Sequence, residues 1–308
     1  MQTEKRPILV TGAHRTGTTW VGRLLSAAPN MTYVSEPLNV LHRPGVFRCR
    51  VEHWYTYICD ENGGEYLPAF RELLGYRYHL GRELAAIRTG RDVLRMFRDA
   101  AAFSGGRLRR STAVLKDPFA VFSLLWFAQA LHCRIVVTVR HPAAFASGLK
   151  RLGWSFDFSD LLQQPLLMRD HLGRYRSAMT SPEIADTAGQ AGLLWAIIYA
   201  SLDRLRAELP GLQVVRHEDL ALEPETGFRQ LYAALGLQFT RHVERAVAST
   251  SSPENPAELS KRNTHSVKMD SRASLQNWKH RLSSEEITRV RRLTDGVVQR
   301  YYSEESWQ

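Results

Sequence analysis

Short apolar runs alternate along this chain with longer stretches of helical spacing. Ile8-Leu9-Val10 is a tight apolar run. A loop rich in Gly, Thr and Arg follows, and Trp20–Ala28 then reads as a helix. Met31–Val34, Ala113–Leu115, Arg134–Val139 and Leu212–Val215 repeat the strand signature. Arg134–Val139 is the clearest, because β-branched residues with apolar character on both faces suit a buried parallel strand. Between the strands, helical patterns cover Gly90–Ala102, Val121–Leu131, Ala143–Leu152, Ala188–Leu209 and Thr226–Leu235, and Ser283–Gln299 predicts a further, exposed helix. Alternation of this kind predicts an α/β chain with a central parallel sheet and helices on its faces. Phe47–Arg82 and Ser155–Glu183 break the rhythm and read as irregular insertions, the former near the site as a lid; Ser249–Asp270 reads as a long polar loop.

Ligands of such sheets bind beyond the carboxyl ends of the strands. Those ends carry Arg15, Glu36, Lys116 and Arg140, which are predicted to converge on one rim. The turn Thr11–Trp20 has the layout of a phosphate cradle, in which N–H groups at a helix N-terminus face an anion. It departs from the G-x-x-x-x-G-K-[ST] loop of triphosphate enzymes, because Thr18 stands where Lys would reach the β- and γ-phosphates. Arg15, before the second glycine, is its strongest cation.

The bulk numbers narrow the class. With 308 residues, 44% apolar and 23% charged, the chain matches a globular protein able to bury a large core. A net charge of +10 fits an anionic ligand, a nucleic acid or an acidic glycan, or simply a soluble basic surface. Three cysteines, Cys49, Cys59 and Cys133, lack metal-ligand spacing and argue for a reducing compartment. The polar start of the chain and the absence of a long apolar run point to a cytoplasmic protein with no signal peptide or transmembrane segment.

Three ordered motifs carry a resemblance. Arg15-Thr16-Gly17-Thr18-Thr19-Trp20 is similar to the 5′-phosphosulfate loop of sulfotransferases that use 3′-phosphoadenosine 5′-phosphosulfate (PAPS). Val137-Thr138-Val139-Arg140-His141-Pro142 with Ser147 resembles their 3′-phosphate motif. Arg216-His217-Glu218-Asp219-Leu220 with Pro224 resembles their R-Y-E-D-L-x-x-x-P. PAPS explains the missing Lys, since it has no β/γ pair to hold. The resemblance, nearest to the tyrosyl-protein and carbohydrate branches, implies a P-loop-NTPase-like three-layer fold, with insertions at about 43–82 and 155–183 forming a lid, in a single domain over 1–308.

It implies further roles. Arg15, Thr16, Gly17, Thr18 and Thr19 would bind the 5′ side. Arg140 and Ser147 would bind the 3′-phosphate, although the family serine falls where this chain has Gly148. Lys116, in Lys116-Asp117-Pro118-Phe119, would lie against the sulfuryl group. Glu36 is the expected base, because an attacking hydroxyl must lose its proton. The rival is a histidine, with His14, His42, His53 and His141 near the motifs. Lys268 and Arg272, followed by Trp278, resemble basic positions of a loop over the 3′-phosphate and adenine, within a closing segment of about 249–278. The expected product is 3′,5′-adenosine bisphosphate, and no metal is expected. The expected acceptor is a small-molecule or glycan hydroxyl, favouring carbohydrate, and no nucleic-acid partner is expected. Two other readings are a P-loop kinase or nucleotide-binding enzyme and a non-catalytic polyanion-binding protein. The oligomeric state is open.

Overall fold

The computed structural model describes residues 6–41, 43–258 and 267–308. His42 and residues 259–266, the middle of the expected polar loop, lie outside them.

Five strands form one sheet: β1 (Ile8–Gly12), β2 (Met31–Ser35), β3 (Thr112–Lys116), β4 (Arg134–Val139) and β5 (Gln213–Arg216). Their order is β2-β3-β1-β4-β5, and every pairing is parallel. β1 is central, with Ile8 in register with Val114 on one side and Arg134 on the other. All five strands point the same way, so their carboxyl ends share one rim.

Period-2 alternation sorts the strand side chains into two cores. Leu9, Leu115, Ile135 and Val137 join the larger one. Ile8, Val10, Val114 and Val136 join the other, where they meet Trp20, Val21 and Leu24 of helix α1 (Thr18–Leu25). Helices on both faces make this a three-layer α/β fold, as expected.

Further helices are α2 (Gly63–Leu74), α3 (Leu80–Ala86), α4 (Gly90–Leu108), α5 (Leu124–Ala130), α6 (Pro142–Leu152) and α7 (Thr187–Leu205). They are followed by α8 (His217–Leu222), α9 (Pro224–Ala234), α10 (Arg241–Ser251), α11 (Asn277–Arg281) and α12 (Ser284–Thr294). Nearly all of α7 is buried, including Trp195 and Tyr199, which explains its apolar sequence.

Several expected boundaries move for local reasons. The helix expected from Val121 begins at Leu124, because Asp117 caps a 3₁₀ turn over Pro118–Ala120. The terminal helix opens on a capping box between Ser283 and Glu286 and stops before Gly296, whose φ is +75°. The two insertions are not irregular. The first contains α2 and the start of α3, and the second contains short turns of helix such as Ser159–Leu162 and Arg176–Met179. They interlock: Tyr57 N–H donates to Gln164 Oε1 at 2.8 Å, and Trp54 N–H donates to Asp160 at 3.1 Å.

Candidate active site

The turn after β1 is braced from beneath. Thr16 is buried, and its hydroxyl donates to Ala13 O at 2.6 Å and lies 2.7 Å from the Thr138 hydroxyl. Tyr199 donates to Thr138 O at 2.8 Å. Gly17 adopts φ +97° at the start of α1, and a Cβ there would stand 2.7 Å from His217 Nδ1, so only glycine fits. No side chain caps α1, whose leading N–H groups lack helical partners. Gly17, Thr18 and Thr19 line a cavity of about 710 Å³.

Glu36 and Lys116 meet across the ends of β2 and β3. The Lys116 ammonium, 1% exposed, forms an ion pair with Glu36 Oε1. Asn39 Nδ2 donates to Glu36 Oε2 at 2.7 Å, and Glu36 N–H donates to Lys116 O at 2.7 Å. The Glu36 backbone lies at φ +50°, a conformation unusual for a non-glycine residue. Asp117 sits behind them, accepting from Leu38 N–H at 2.6 Å and Phe119 N–H at 3.0 Å. Burial, aided by the charge on Glu36, pushes its carboxyl up to about 7, and the two N–H bonds oppose that rise.

The other half of the rim is cationic. Arg140, past the end of β4, is partly buried, and burial lowers its pKa. It donates to Arg15 O at 3.3 Å, while its Nε has no partner among the described residues. Burial, then Arg140 and Arg151, push the Arg15 guanidinium down to about 10. A side pocket of about 70 Å³ is lined by Arg15, Arg140, Arg151, Arg281, Ser147 and Glu258, among others. Arg281 donates to the Ser147 hydroxyl at 2.8 Å and pairs with Glu258. Four guanidiniums thus border one pocket beside a single carboxylate.

The main cavity has two ends. Trp20, His217, Thr250 and Met269 line one. Trp20 Nε1 donates to Thr250 Oγ1 at 3.0 Å, and burial holds the His217 imidazole well below its usual range. The other end is an aromatic wall of Trp54, Tyr55, Phe119, Trp154 and Phe156, supplied by both insertions, the turn after β3 and the end of α6. His14 sits in that wall, its Nδ1 2.7 Å from the Tyr55 hydroxyl. Burial, followed by Arg15, holds it down to about 4, so it is neutral at pH 7. Asp157 and Asp160 stand at the edge.

A family model described as the sulfotransferase family matches residues 7–241. This chain belongs to the sulfotransferase family. No curated protein matches it. Among solved structures it is similar to the sulfotransferase domain from the curacin biosynthetic pathway, at 13% identity over 97% of this chain and 98% of that one, with a TM-score of 0.49. It is also similar to the sulfotransferase domain of the Synechococcus PCC 7002 olefin synthase, at 15% identity over 97% of both chains and a TM-score of 0.49. Mouse sulfotransferase SULT7A1, complexed with PAP, matches at 10% identity over 99% of this chain and 87% of that one, with a TM-score of 0.44.

Within this family frame, the rim brings together most of the residues singled out by sequence. Arg15, Gly17, Thr18, Thr19, Glu36 and Arg140 line the main cavity. Thr16 lies underneath, and Lys116 reaches the rim through Glu36. Ser147 and Gly148 both line the arginine pocket, and only Ser147 has a hydroxyl there. Two residues stay outside. Lys268 is exposed, between the lining residues Val267 and Met269. Arg272 turns away, donating to Leu222 O at 2.7 Å and pairing with Glu223 at 3.3 Å. Among the rival histidines, His53 faces Asp160 at 3.6 Å and His141 stacks on Trp278; neither lines the cavity. Sequence reasoning missed Asn39, Arg151 and Arg281. Arg281 had a weak signal, three positions beyond Trp278, but nothing in the sequence ties it to Ser147. Among the described residues, no group of three His, Cys, Asp or Glu side chains could hold a metal, and no helix is long and apolar enough to cross a membrane.

Proposed function

We propose that this chain transfers the sulfuryl group of PAPS to the hydroxyl of a carbohydrate or glycan-linked acceptor. The observation that carries the reading is the pocket bordered by four arginines, opening beside the braced β1 loop. Arg15, partly buried and with its pKa pushed down by burial and then by Arg140 and Arg151, calls for an anion of high charge, and the unmatched Nε of Arg140 is a donor without an acceptor among the described residues. A nucleotide with phosphates at both 3′ and 5′ positions meets both demands. In this reading Arg140, Ser147 and Arg281 hold the 3′-phosphate, with Arg151 adding charge. Arg15 and the N–H groups of Gly17, Thr18 and Thr19 hold the 5′ side, while Thr16 supports the loop. Lys268 closes over the nucleotide, and Arg272 anchors the base of that segment.

The acceptor oxygen attacks sulfur, an O–S bond forms, and the S–O bond to the 5′-phosphate breaks. The acceptor proton passes to Glu36, and 3′,5′-adenosine bisphosphate leaves. Asn39 and Lys116 fix the carboxylate in place, and Lys116 with Arg15 offsets charge developing on the leaving oxygen. The wall of Trp54, Phe119 and Trp154, edged by Asp157 and Asp160, supports a sugar acceptor. Ring faces pack against C–H groups, and carboxylates accept from hydroxyls. We also read the chain as one cytoplasmic domain over 1–308; the free thiols Cys59 and Cys133 agree with a reducing compartment.

The test has two stages. 3′,5′-Adenosine bisphosphate should raise the melting temperature far more than ATP does; equal shifts overturn the donor assignment. Labelled PAPS is then offered with sugar, phenol and peptide hydroxyls. Transfer to phenols or peptides alone overturns the carbohydrate assignment.

A further inference from the structure

Helix α4 carries an apolar stripe that no described element covers. Leu94, Phe97 and Leu108 are 72, 64 and 87% exposed, and Ala101 between them is exposed as well. At 3.6 residues per turn these positions fall on one face. Met96, Asp99, Phe103 and Gly106 form the opposite, buried face. Leu80 and Leu84, one turn apart on the adjoining α3, are about half exposed. Six of the eight exposed large apolar side chains among the described residues fall within 41–108.

Charge is concentrated in the same place. Residues 80–110 hold eight arginines against three acids, so +5 of the chain's +10 lies in about a tenth of its length. The acids do little to offset this outward. Glu83 is buried and accepts from Gly45 N–H at 2.8 Å. Asp99 is buried and pairs with Arg43 at 2.7 Å, and also with Arg98 at 3.0 Å. Asp92 is bound up in the helix's own capping box with Thr89. The outward surface is therefore apolar along its centre and cationic beside it, through the exposed Arg91, Arg95 and Arg98.

We propose that α3 and α4 form a docking surface for anionic lipid membranes. An amphipathic helix with apolar side chains outward and arginines alongside lies in the headgroup layer. Its apolar face enters the acyl boundary, and its guanidiniums meet lipid phosphates. Nucleic acid would match the arginines but would gain nothing from Leu94, Phe97 and Leu108. The docking surface also adjoins the cavity. Arg43, paired to Asp99 of α4, donates to Ser35 O at 2.7 Å. The loop between them supplies Glu36, Asn39 and the 79% exposed Leu41 to the cavity.

The full chain is sedimented with vesicles of phosphatidylcholine alone or with about 30% phosphatidylglycerol. Binding is expected only to the anionic vesicles and should weaken in high salt. The double variant Leu94→Ser/Phe97→Ser leaves net charge unchanged, and both sites are exposed, so its melting temperature should match the parent. Its partitioning should fall by about tenfold or more. Failure to bind anionic vesicles overturns the proposal. So does undiminished binding of the double variant, which would mark plain cationic adsorption. A concentration-dependent dimer abolished by the double variant, with no vesicle binding, would assign the stripe to self-association instead.

Discussion

The two halves of the rim solve opposite electrostatic problems. At the ends of β2 and β3, Lys116 and Glu36 neutralise one another, and Asn39 fixes the remaining carboxylate oxygen. That half is complete within the chain. Beside β1 and β4, Arg15, Arg140, Arg151 and Arg281 border a pocket with only Glu258 among the acids lining it. That half is poised for a charge from outside. Binding energy should therefore come from the arginine side, and chemistry from the carboxylate side.

Glu36→Gln is the hardest test of that division. The amide keeps the shape and the contact to Asn39 but cannot take a proton. Turnover should fall by about a hundredfold or more, with nucleotide affinity nearly unchanged. Single-turnover transfer and titration of 3′,5′-adenosine bisphosphate measure the two separately. A parallel loss of affinity would break the comparison. Arg140→Ala should show the reverse: affinity about 10- to 100-fold weaker, with turnover at saturation largely kept, because charge-assisted bonds to a phosphate are lost.

What the sequence showed follows from how far each signal reaches. β1 and β4 were legible because both faces of each strand are buried, which leaves unbroken apolar runs such as Ile135-Val136-Val137. Arg15, Glu36, Lys116 and Arg140 were legible as one rim because parallel strands put their carboxyl ends together. The second insertion was misread as irregular because helices such as Arg176–Met179 are too short to display a period, and the first because Pro68 lies inside α2 and reads as a break. Arg281 escaped because its partner Ser147 is 134 positions away, and that closeness depends on how α11 packs against α6. Arg272 was placed at the site by resemblance alone. Resemblance carries residue type but not the direction of a side chain.

Arg281→Ala sharpens the comparison further. Its guanidinium already pairs with Glu258, so less of its charge is available to a phosphate than that of Arg140. Affinity should weaken by about 5- to 10-fold, a smaller loss than for Arg140→Ala. His14, on the wall between the halves, tests the rival base. Its folded pKa of about 4 lies below the ordinary 6.5. It therefore stabilises the fold fully above pH 6.5, and that contribution is lost as pH falls through 4. Melting scans should show His14→Asn losing less stability than the parent across that window, by a few degrees. The variant should still turn over; abolished turnover with Glu36→Gln active would move the base to His14.

The smallest effect belongs to Arg272→Ala. Its guanidinium is bonded to Leu222 O and paired with Glu223 at an exposed site, and it lines neither cavity. Exposed pairs of this kind contribute about 0–1 kcal/mol. Nucleotide affinity should change by less than about twofold, with the melting temperature down by a degree or two. Titration against the parent distinguishes two accounts of the segment after residue 266. If the near-zero effect is found, the cationic half of the rim is complete with Arg15, Arg140, Arg151 and Arg281, and the segment serves as a cover. A tenfold loss would mean that Arg272 leaves Leu222 to reach the nucleotide. The arginine side would then assemble around its ligand, while the Glu36–Lys116 side stands ready beforehand.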